Sequence, residues 1–498
     1  MTITIASAQE PIKAFHRDGP VCMLSGMAQE GGDATTWRPG ASIPRTNIRW
    51  AIYIALFALT FTIFALSPVT DLHDSRYTVL LSECILTRHT TDLKYYSIEA
   101  LDFSSLPSEP DLVRNDAFYE LVKIGGKLLY YYPHGSSMLS LPLVAALRAS
   151  GQSVVNDTGN YYVVREAQEQ HLIAALLMAL LACLFLLTGG ILLPPSWSLT
   201  IALAASLGTQ IWSTASRLLW SHTWEVLLLG AVTFELLDAE AKHRPLHMVW
   251  LATLVSWMFF VRPTGGIVIA GVTIYILVYY WIACLPYILT GLIWLFAFIT
   301  YSWFTFGEVV PGYYHNPSFH SSEHFFAALA GNLVSPSRGI LVFVPELMFL
   351  IYLVVRFWKR VPHRSLATLA IAMCVAHFVV LAADKKWWGG WSYGPRLSTD
   401  LVPWFVLLAI LGIRAWRDEM KQRRLDSGVD ESRVMWRERI EIAVGCLLLV
   451  AGIMINAHGA LSWSTALWNA EPNIELHPER VWDWRAPQFL AGVTSRKP

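Results

Sequence analysis

Residues 248–306 read MVWLATLVSWMFFVRPTGGIVIAGVTIYILVYYWIACLPYILTGLIWLFAFITYSWFTF, an almost unbroken apolar run. A helix needs about 20 apolar residues to cross about 30 Å of hydrocarbon, so this stretch must hold about three membrane helices. Arg262-Pro263 and Cys284-Leu285-Pro286 are its natural turns, because proline disfavours helical backbone in the residue before it.

Applied to the whole chain, the same length rule gives about eleven spans. They fall near 48–68, 170–193, 196–215, 222–237, 247–261, 263–281, 283–305, 339–358, 365–383, 400–416 and 439–457. Composition agrees: of 498 residues 54% are hydrophobic and 15% charged, against about 25% charged in a soluble domain. That excludes a disordered chain and a conventional cytosolic enzyme. Net charge is zero, so no nucleic-acid footprint is expected. The 6 cysteines are scattered and suggest no disulfide framework. The fold class is thus an all-α polytopic membrane protein. Residues 1–47 read as a disordered cytoplasmic tail, 48–416 as the transmembrane domain, 417–438 as a cytoplasmic loop, 439–457 as the last span and 458–498 as an extracytoplasmic tail.

Charge assigns the sides. With the amino end inside, the inner connections carry Lys242 and Arg244, then Arg356, Lys359, Arg360 and Arg364, then a dense set from Arg414 to Arg439. The outer ones carry far fewer, which is the positive-inside asymmetry. The large first outer loop, 69–169, is long enough to hold structure and function. In it, Asp74 to Arg88 has helical periodicity and reads as a surface helix. Tyr119 to Tyr132 reads as a hairpin turning on Gly125-Gly126, and a short apolar helix follows to about Leu147.

Chemistry gathers at the outer helix ends. Asp71, His73, Asp74 and Arg76 follow the first span, and His134 lies in Tyr132-Pro-His-Gly135. Arg217 and His222, Arg262, then Glu308, Tyr313 and His315, then Arg338 occupy later outer ends. Lys385, Lys386, Trp388, Trp391, Arg396 and Asp400 lie in one loop, 384–400. Carboxylates, histidines and cations on one outer surface suit a reaction between a lipid-borne anion and an outside acceptor: cations hold a phosphate, and a carboxylate takes a proton. A transporter would instead concentrate ionisable groups or broken helices near the midplane.

At these residues the chain resembles the GT-C glycosyltransferases that use polyprenyl-phosphate sugars, which include the aminoarabinose transferases of lipid A and the protein O-mannosyltransferases. The resemblance is carried by Asp74-Ser-Arg76-Tyr77 after the first helix, by the turn Tyr132-Pro-His-Gly-Ser-Ser137 before an apolar surface helix, and by the large first outer loop. Phe306-Gly-Glu308, Ser335-Pro-Ser-Arg-Gly339 and Trp387-Trp-Gly-Gly-Trp-Ser-Tyr-Gly-Pro-Arg396 resemble strings of bacterial membrane glycosyltransferases. The aminoarabinose transferases carry Lys-Pro-Pro where this chain has Pro133-His134-Gly135, and the acidic pair here is Asp71-x-x-Asp74.

The resemblance implies an inverting transfer of sugar from undecaprenyl- or decaprenyl-phosphate to an extracytoplasmic glycan, lipid or protein acceptor, at a bacterial inner membrane. Asp74 is the expected general base and Asp71 a second acid, metal ligand or solvated loop residue. Arg76, His134, Arg217, His222, Arg262, Arg338, Lys385, Lys386 and Arg396 are the expected phosphate holders. Glu308, Tyr313, Trp388 and Trp391 are the expected sugar or acceptor contacts. A divalent cation is permitted and not required. Competing structural roles exist for most of these: Asp74 as the cap of the surface helix, Arg217 as a snorkelling side chain, the tryptophans as an interfacial belt. The competing functions are an O-antigen ligase or polymerase and a lipid-linked sugar transporter or flippase.

Overall fold

The structure is a computed structural model that describes residues 45–70, 72–98, 119–315, 324–425 and 431–493. Most of the expected tail (1–44), Asp71, and the stretch 99–118 of the first loop lie outside the described residues. The chain divides between Ile48 and Arg49.

The described residues fold almost wholly as helices. α1 (Arg45–Leu66) leads to α2 (Thr78–Arg88), to the strands β1 (Leu121–Ile124) and β2 (Lys127–Tyr130), and to α3 (Gly135–Ala149). Then come α4 (Val163–Gly189), α5 (Pro195–Leu207), α6 (Ser221–Lys242), α7 (Met248–Val261), α8 (Gly265–Tyr279) and α9 (Leu285–Phe306). α10 (Phe325–Val334), α11 (Ile340–Phe343), α12 (Glu346–Arg356), α13 (Arg364–Ala382), α14 (Val402–Leu425), α15 (Glu431–Leu461) and α16 (Trp463–Leu467) complete the chain. The run 248–306 is α7, α8 and α9, broken at the two proline-marked turns.

Five helices are long and apolar enough to cross a membrane: α4, α9, α13, α15, and α14 with the short turn before it. Five shorter apolar helices lie among them, Trp50–Leu66, Pro195–Leu207, Met248–Val261, Gly265–Tyr279 and Phe325–Val334. The segment expected as one span over 339–358 is instead α11 and α12, interrupted at Val344-Pro345, where proline removes a helical donor.

Packing separates a core from an apolar exterior. Much of α4 and α14 is buried inside the body, whereas α9 and α15 leave most of their apolar surface uncovered. On α9, Leu292, Ile293, Leu295 and Phe296 are each at least half exposed. A continuous apolar face of that kind is stable only under lipid. Inside, Gly230 of α6 lets α4 approach closely; a Cβ there would lie 2.7 Å from Leu181.

The hairpin pairs Leu121 with Tyr130 and Ile124 with Lys127. Gly125 and Gly126 take φ of 55° and 76° at its tip, the left-handed conformation that favours glycine. The start of α2 is held from a distance: the Glu166 carboxylate of α4 accepts from the amides of Val79 (2.7 Å) and Leu80 (3.0 Å). Those amides are the unpaired donors of a helix start. Glu166 therefore does the work of an N-cap, and Asp74 is left for something else.

Candidate active site

Asp74 sits in the turn between α1 and α2, its side chain about a third exposed (32%). The far end of the hairpin grips it. The Tyr130 hydroxyl donates to its backbone carbonyl, and the Tyr132 hydroxyl donates to Oδ1 at 2.9 Å. Arg396, from the turn before α14, donates to Oδ2 at 3.0 Å. Burial pushes the Asp74 carboxyl up, but the Arg396 guanidinium and the Tyr132 hydroxyl more than offset this and hold it below the usual range. It is an ionised carboxylate with both oxygens engaged. The same Arg396 lies over the Trp220 ring at 4.4 Å and donates to the Gly389 carbonyl at 3.1 Å, while its Nε is buried without a partner among the described residues.

A second charged group adjoins. His222 Nδ1 meets Asp400 Oδ1 at 2.6 Å, and both side chains are almost fully buried. Arg262, just past α7, contacts His222 Nε2 at 2.6 Å and lies 3.5 Å from Asp400 and 3.8 Å from Glu225. Tyr313 links the two groups: its hydroxyl feels the charge of both Arg262 and Asp74, and its ring lies 5.0 Å from that of Tyr132. Beside Tyr132 and Tyr313 lies a tight crevice of about 10 Å³ walled by Tyr131, Phe260, Phe298, Tyr301 and Tyr314 among others.

The structure thus brings together Asp74, Arg396, Arg262, His222 and Tyr313. Arg76 lies close by, over the Tyr77 ring at 5.7 Å, with Nε buried and unpartnered among the described residues. Tyr77, fully buried, holds φ at +75°. That conformation is costly for a bulky residue and marks the turn as held under strain.

Several expected phosphate holders are spent elsewhere. Arg217 donates to the carbonyls of Phe64 (2.9 Å), Ser67 and Val69 (2.9 Å). It closes the carboxyl end of α1, where unpaired carbonyls and the negative end of the helix dipole attract a cation. His134 is buried, with Nε2 donating to the Tyr130 carbonyl at 2.8 Å and Nδ1 accepting from the Tyr301 hydroxyl. Burial pushes its pKa down to about 4, so it is neutral and both nitrogens are used. The rest of that turn is explained by contact: a Cβ on Gly135 would lie 2.4 Å from the Phe260 backbone, so α3 can dock on the end of α7 only through glycine.

Arg338 is also structural. It donates to the carbonyls of Trp388, Ser337 and Gly390 and to the side chains of Gln488 and Asn469, and it is 1% exposed. Lys386 pairs with Glu475 at 2.6 Å, and Lys385 is exposed. Trp388 and Trp391 pack with Trp468, Ile474 and Val481 of the carboxyl-terminal segment. Trp391 also reaches the rim of the acidic turn, 5.6 Å from the His73 ring. Glu308 is half-buried, and its backbone carbonyl accepts from Ser302 at 2.7 Å. Asp71 lies outside the described residues, and among those described no cluster of His, Cys, Asp or Glu is arranged to hold a metal ion.

Sequence reasoning assigned no role at the site to the Tyr132 hydroxyl and passed over Glu225. Glu225 stands three residues from His222 on α6, a spacing that places both on one helix face and could have been read. The membrane interior also holds more acid than expected. Glu346 lines an apolar cleft of about 170 Å³ between α5, α12, α14 and α15, with both carboxyl oxygens buried.

No protein-family model matches the chain, and no curated protein matches it in sequence. Among solved structures it is similar to ArnT from Cupriavidus metallidurans bound to undecaprenyl phosphate, with 12% identity over 88% of this chain and 75% of that one, at a TM-score of 0.42. It is similar also to ArnT from the same organism in the apo state, with 11% identity over 86% of this chain and 81% of that one, at a TM-score of 0.46. The functional reading below rests on the site itself.

Proposed function

We propose that the protein is an inverting glycosyltransferase that moves a sugar from a polyprenyl-phosphate donor to a hydroxyl acceptor. The observation that carries this reading is the partly exposed carboxylate Asp74, paired to Arg396 and near Arg262 and a group of tyrosines, in a bundle whose outer helices present apolar faces. The lipid chain lies along the apolar helices and the phosphate comes to Arg396, whose Nε is unpartnered among the described residues, with Arg262 behind it. The acceptor O–H gives its proton to a carboxylate, for which Asp74 is the candidate, and its oxygen bonds to the anomeric carbon as the bond to the phosphate oxygen breaks. Positive charge that builds on the sugar faces the Asp74 carboxylate, and negative charge on the leaving phosphate faces the arginines.

The positive-inside pattern supports an extracytoplasmic site, a cytoplasmic amino end and eleven crossings. A bacterial inner membrane, with an envelope glycan, lipid or protein as acceptor, is part of the same reading. The test uses purified protein in vesicles with a labelled undecaprenyl-phosphate sugar and envelope acceptors. The wild type is expected to form a glycosidic product and release undecaprenyl phosphate, and Asp74→Asn to lose transfer while still folding. Sugar-lipid crossing the bilayer with no product would make the protein a transporter.

A further inference from the structure

The Asp74–Arg396 pair differs from the other ion pairs of the site in how each partner is held. Asp74 has supports besides Arg396: the Tyr130 hydroxyl donates to its backbone carbonyl, and the Tyr132 hydroxyl donates to Oδ1 at 2.9 Å. Arg396 has supports besides Asp74: its guanidinium lies 4.4 Å from the centre of the Trp220 ring, and Nη2 donates to the Gly389 carbonyl at 3.1 Å. The hydrogen bond that joins the two runs from Nη1 to Oδ2 at 3.0 Å. The pair can therefore open with neither side chain losing its other supports. It is also the accessible pair. The Asp74 side chain is 32% exposed, whereas Asp400 and Glu225, the carboxylates beside Arg262, are 4% and 1% exposed.

A phosphate brought to this arginine meets a guanidinium already in use. Arginine holds phosphate best through two parallel N–H groups. In Arg396, Nη1 and Nη2 each already donate once, and Nε lacks a partner among the described residues. An arriving phosphate sets a second anion against one cation, and the two anions repel each other at that distance.

We propose that the Asp74–Arg396 pair is a latch opened by the lipid phosphate: the donor's phosphate takes Arg396, Oδ2 of Asp74 is released, and the freed carboxylate then takes the acceptor proton. The proposal rests on the transferase reading above and adds an order to it, donor before acceptor. In the step, the acceptor O–H breaks and its proton goes to Oδ2. The acceptor oxygen bonds to the anomeric carbon, and the lipid phosphate leaves with the electron pair of the broken C–O bond, held by Arg396. The closed pair suits a base kept weak until then. Burial raises the Asp74 carboxyl, and Arg396, Tyr132 and His73 lower it, Arg396 the most. The other groups in electrostatic reach are Tyr119, Glu120 and Tyr130 on the hairpin side and Arg262 and Tyr313 on the other.

The experiment measures undecaprenyl phosphate binding to the full chain in nanodiscs, for the wild type, Asp74→Asn, Arg396→Gln and the double variant. Helical content and melting temperature report whether each is folded. Removing the competing charge should tighten binding: Asp74→Asn is expected to bind about fivefold more tightly than the wild type, the scale of a partly exposed ion pair. In the Arg396→Gln background the same change should add nothing. Unchanged or weaker binding to folded Asp74→Asn overturns the latch. An equal gain in the Arg396→Gln background overturns it too, because Asp74 would then repel phosphate without holding the arginine. A measurement on the wild type alone covers variants that fail to fold. The acid limb of kcat belongs to the donor complex, and that of kcat/KM for the donor belongs to the free protein. Opening the pair removes the largest lowering influence on Asp74, so the kcat limb should lie at the higher pH. Coincident or reversed limbs overturn the latch and leave the transferase reading intact, because transfer itself is then observed. A wild type that neither binds undecaprenyl phosphate nor transfers from its sugars overturns both.

Discussion

Two arginines of neighbouring segments behave differently, Arg338 fully buried and Arg396 partly so. Arg338 joins the 384–396 loop to the carboxyl-terminal segment, and its side chain makes five hydrogen bonds, at 2.5 to 3.2 Å. Gln488 completes that joint, donating to the Ser392 and Thr465 carbonyls at 2.9 Å each. Arg396, at the end of the same loop, pairs with Asp74 and Gly389 and leaves Nε buried without a partner among the described residues. Buried polar groups in proteins are normally satisfied. A fully bonded arginine is therefore architecture, and an incompletely bonded one is the candidate to hold the anion of the proposed reaction. The same comparison sorts Arg217, which is satisfied by the end of α1, from Arg76, which is not.

This distinction orders the expected effects of substitution. The largest is at the joint. Arg338→Ala strands several buried acceptors at about 1–3 kcal/mol each, so the protein should fail to accumulate in membranes or should melt far below the wild type. Full expression and an unchanged melting temperature would show that the joint is not structural. Next is Arg396→Gln, which removes the charge proposed to meet the phosphate and should weaken undecaprenyl phosphate binding about 10- to 100-fold, with the helical content kept. Gly135→Ala forces α3 off Phe260 and should cost stability on the scale of overpacking, about 1–3 kcal/mol, read as a lower thermal midpoint.

A smaller effect concerns pH. His134 has a folded pKa of about 4 against 6.5 unfolded, so the unfolded chain binds more protons between these values. Stability is full above about 6.5 and falls as pH drops toward 4; replacing His134 with Gln should flatten this segment of a pH–melting curve. The smallest effect is at Lys385, whose change to Ala should leave stability within about 0.5 kcal/mol and leave lipid phosphate binding unchanged.

The architecture was largely legible in the sequence because lipid imposes long apolar runs, and 248–306 resolves into three helices at its proline-marked turns. The hairpin was legible because Gly125-Gly126 supplies a conformation few residues adopt. Within the site, the sequence marked Asp74, Arg262 and Arg396 as charges at helix ends but could not separate them from Arg217, Arg338 and His134. That separation depends on whether carbonyls from distant segments reach the same nitrogen. Residues 64–69 find Arg217 and residues 388–390 find Arg338 only after the helices pack. Tyr132 opens the turn Tyr132-Pro-His-Gly135 in the sequence, but only the fold carries its hydroxyl to Asp74.

The most direct measurement compares undecaprenyl phosphate binding to Arg396→Gln and Arg217→Met in nanodiscs, with both variants shown to be folded. The expected result is a loss of at least tenfold for Arg396→Gln and wild-type affinity for Arg217→Met. Equal losses, or undiminished binding to Arg396→Gln, would contradict the assignment of the Asp74–Arg396 pair to a lipid-phosphate site.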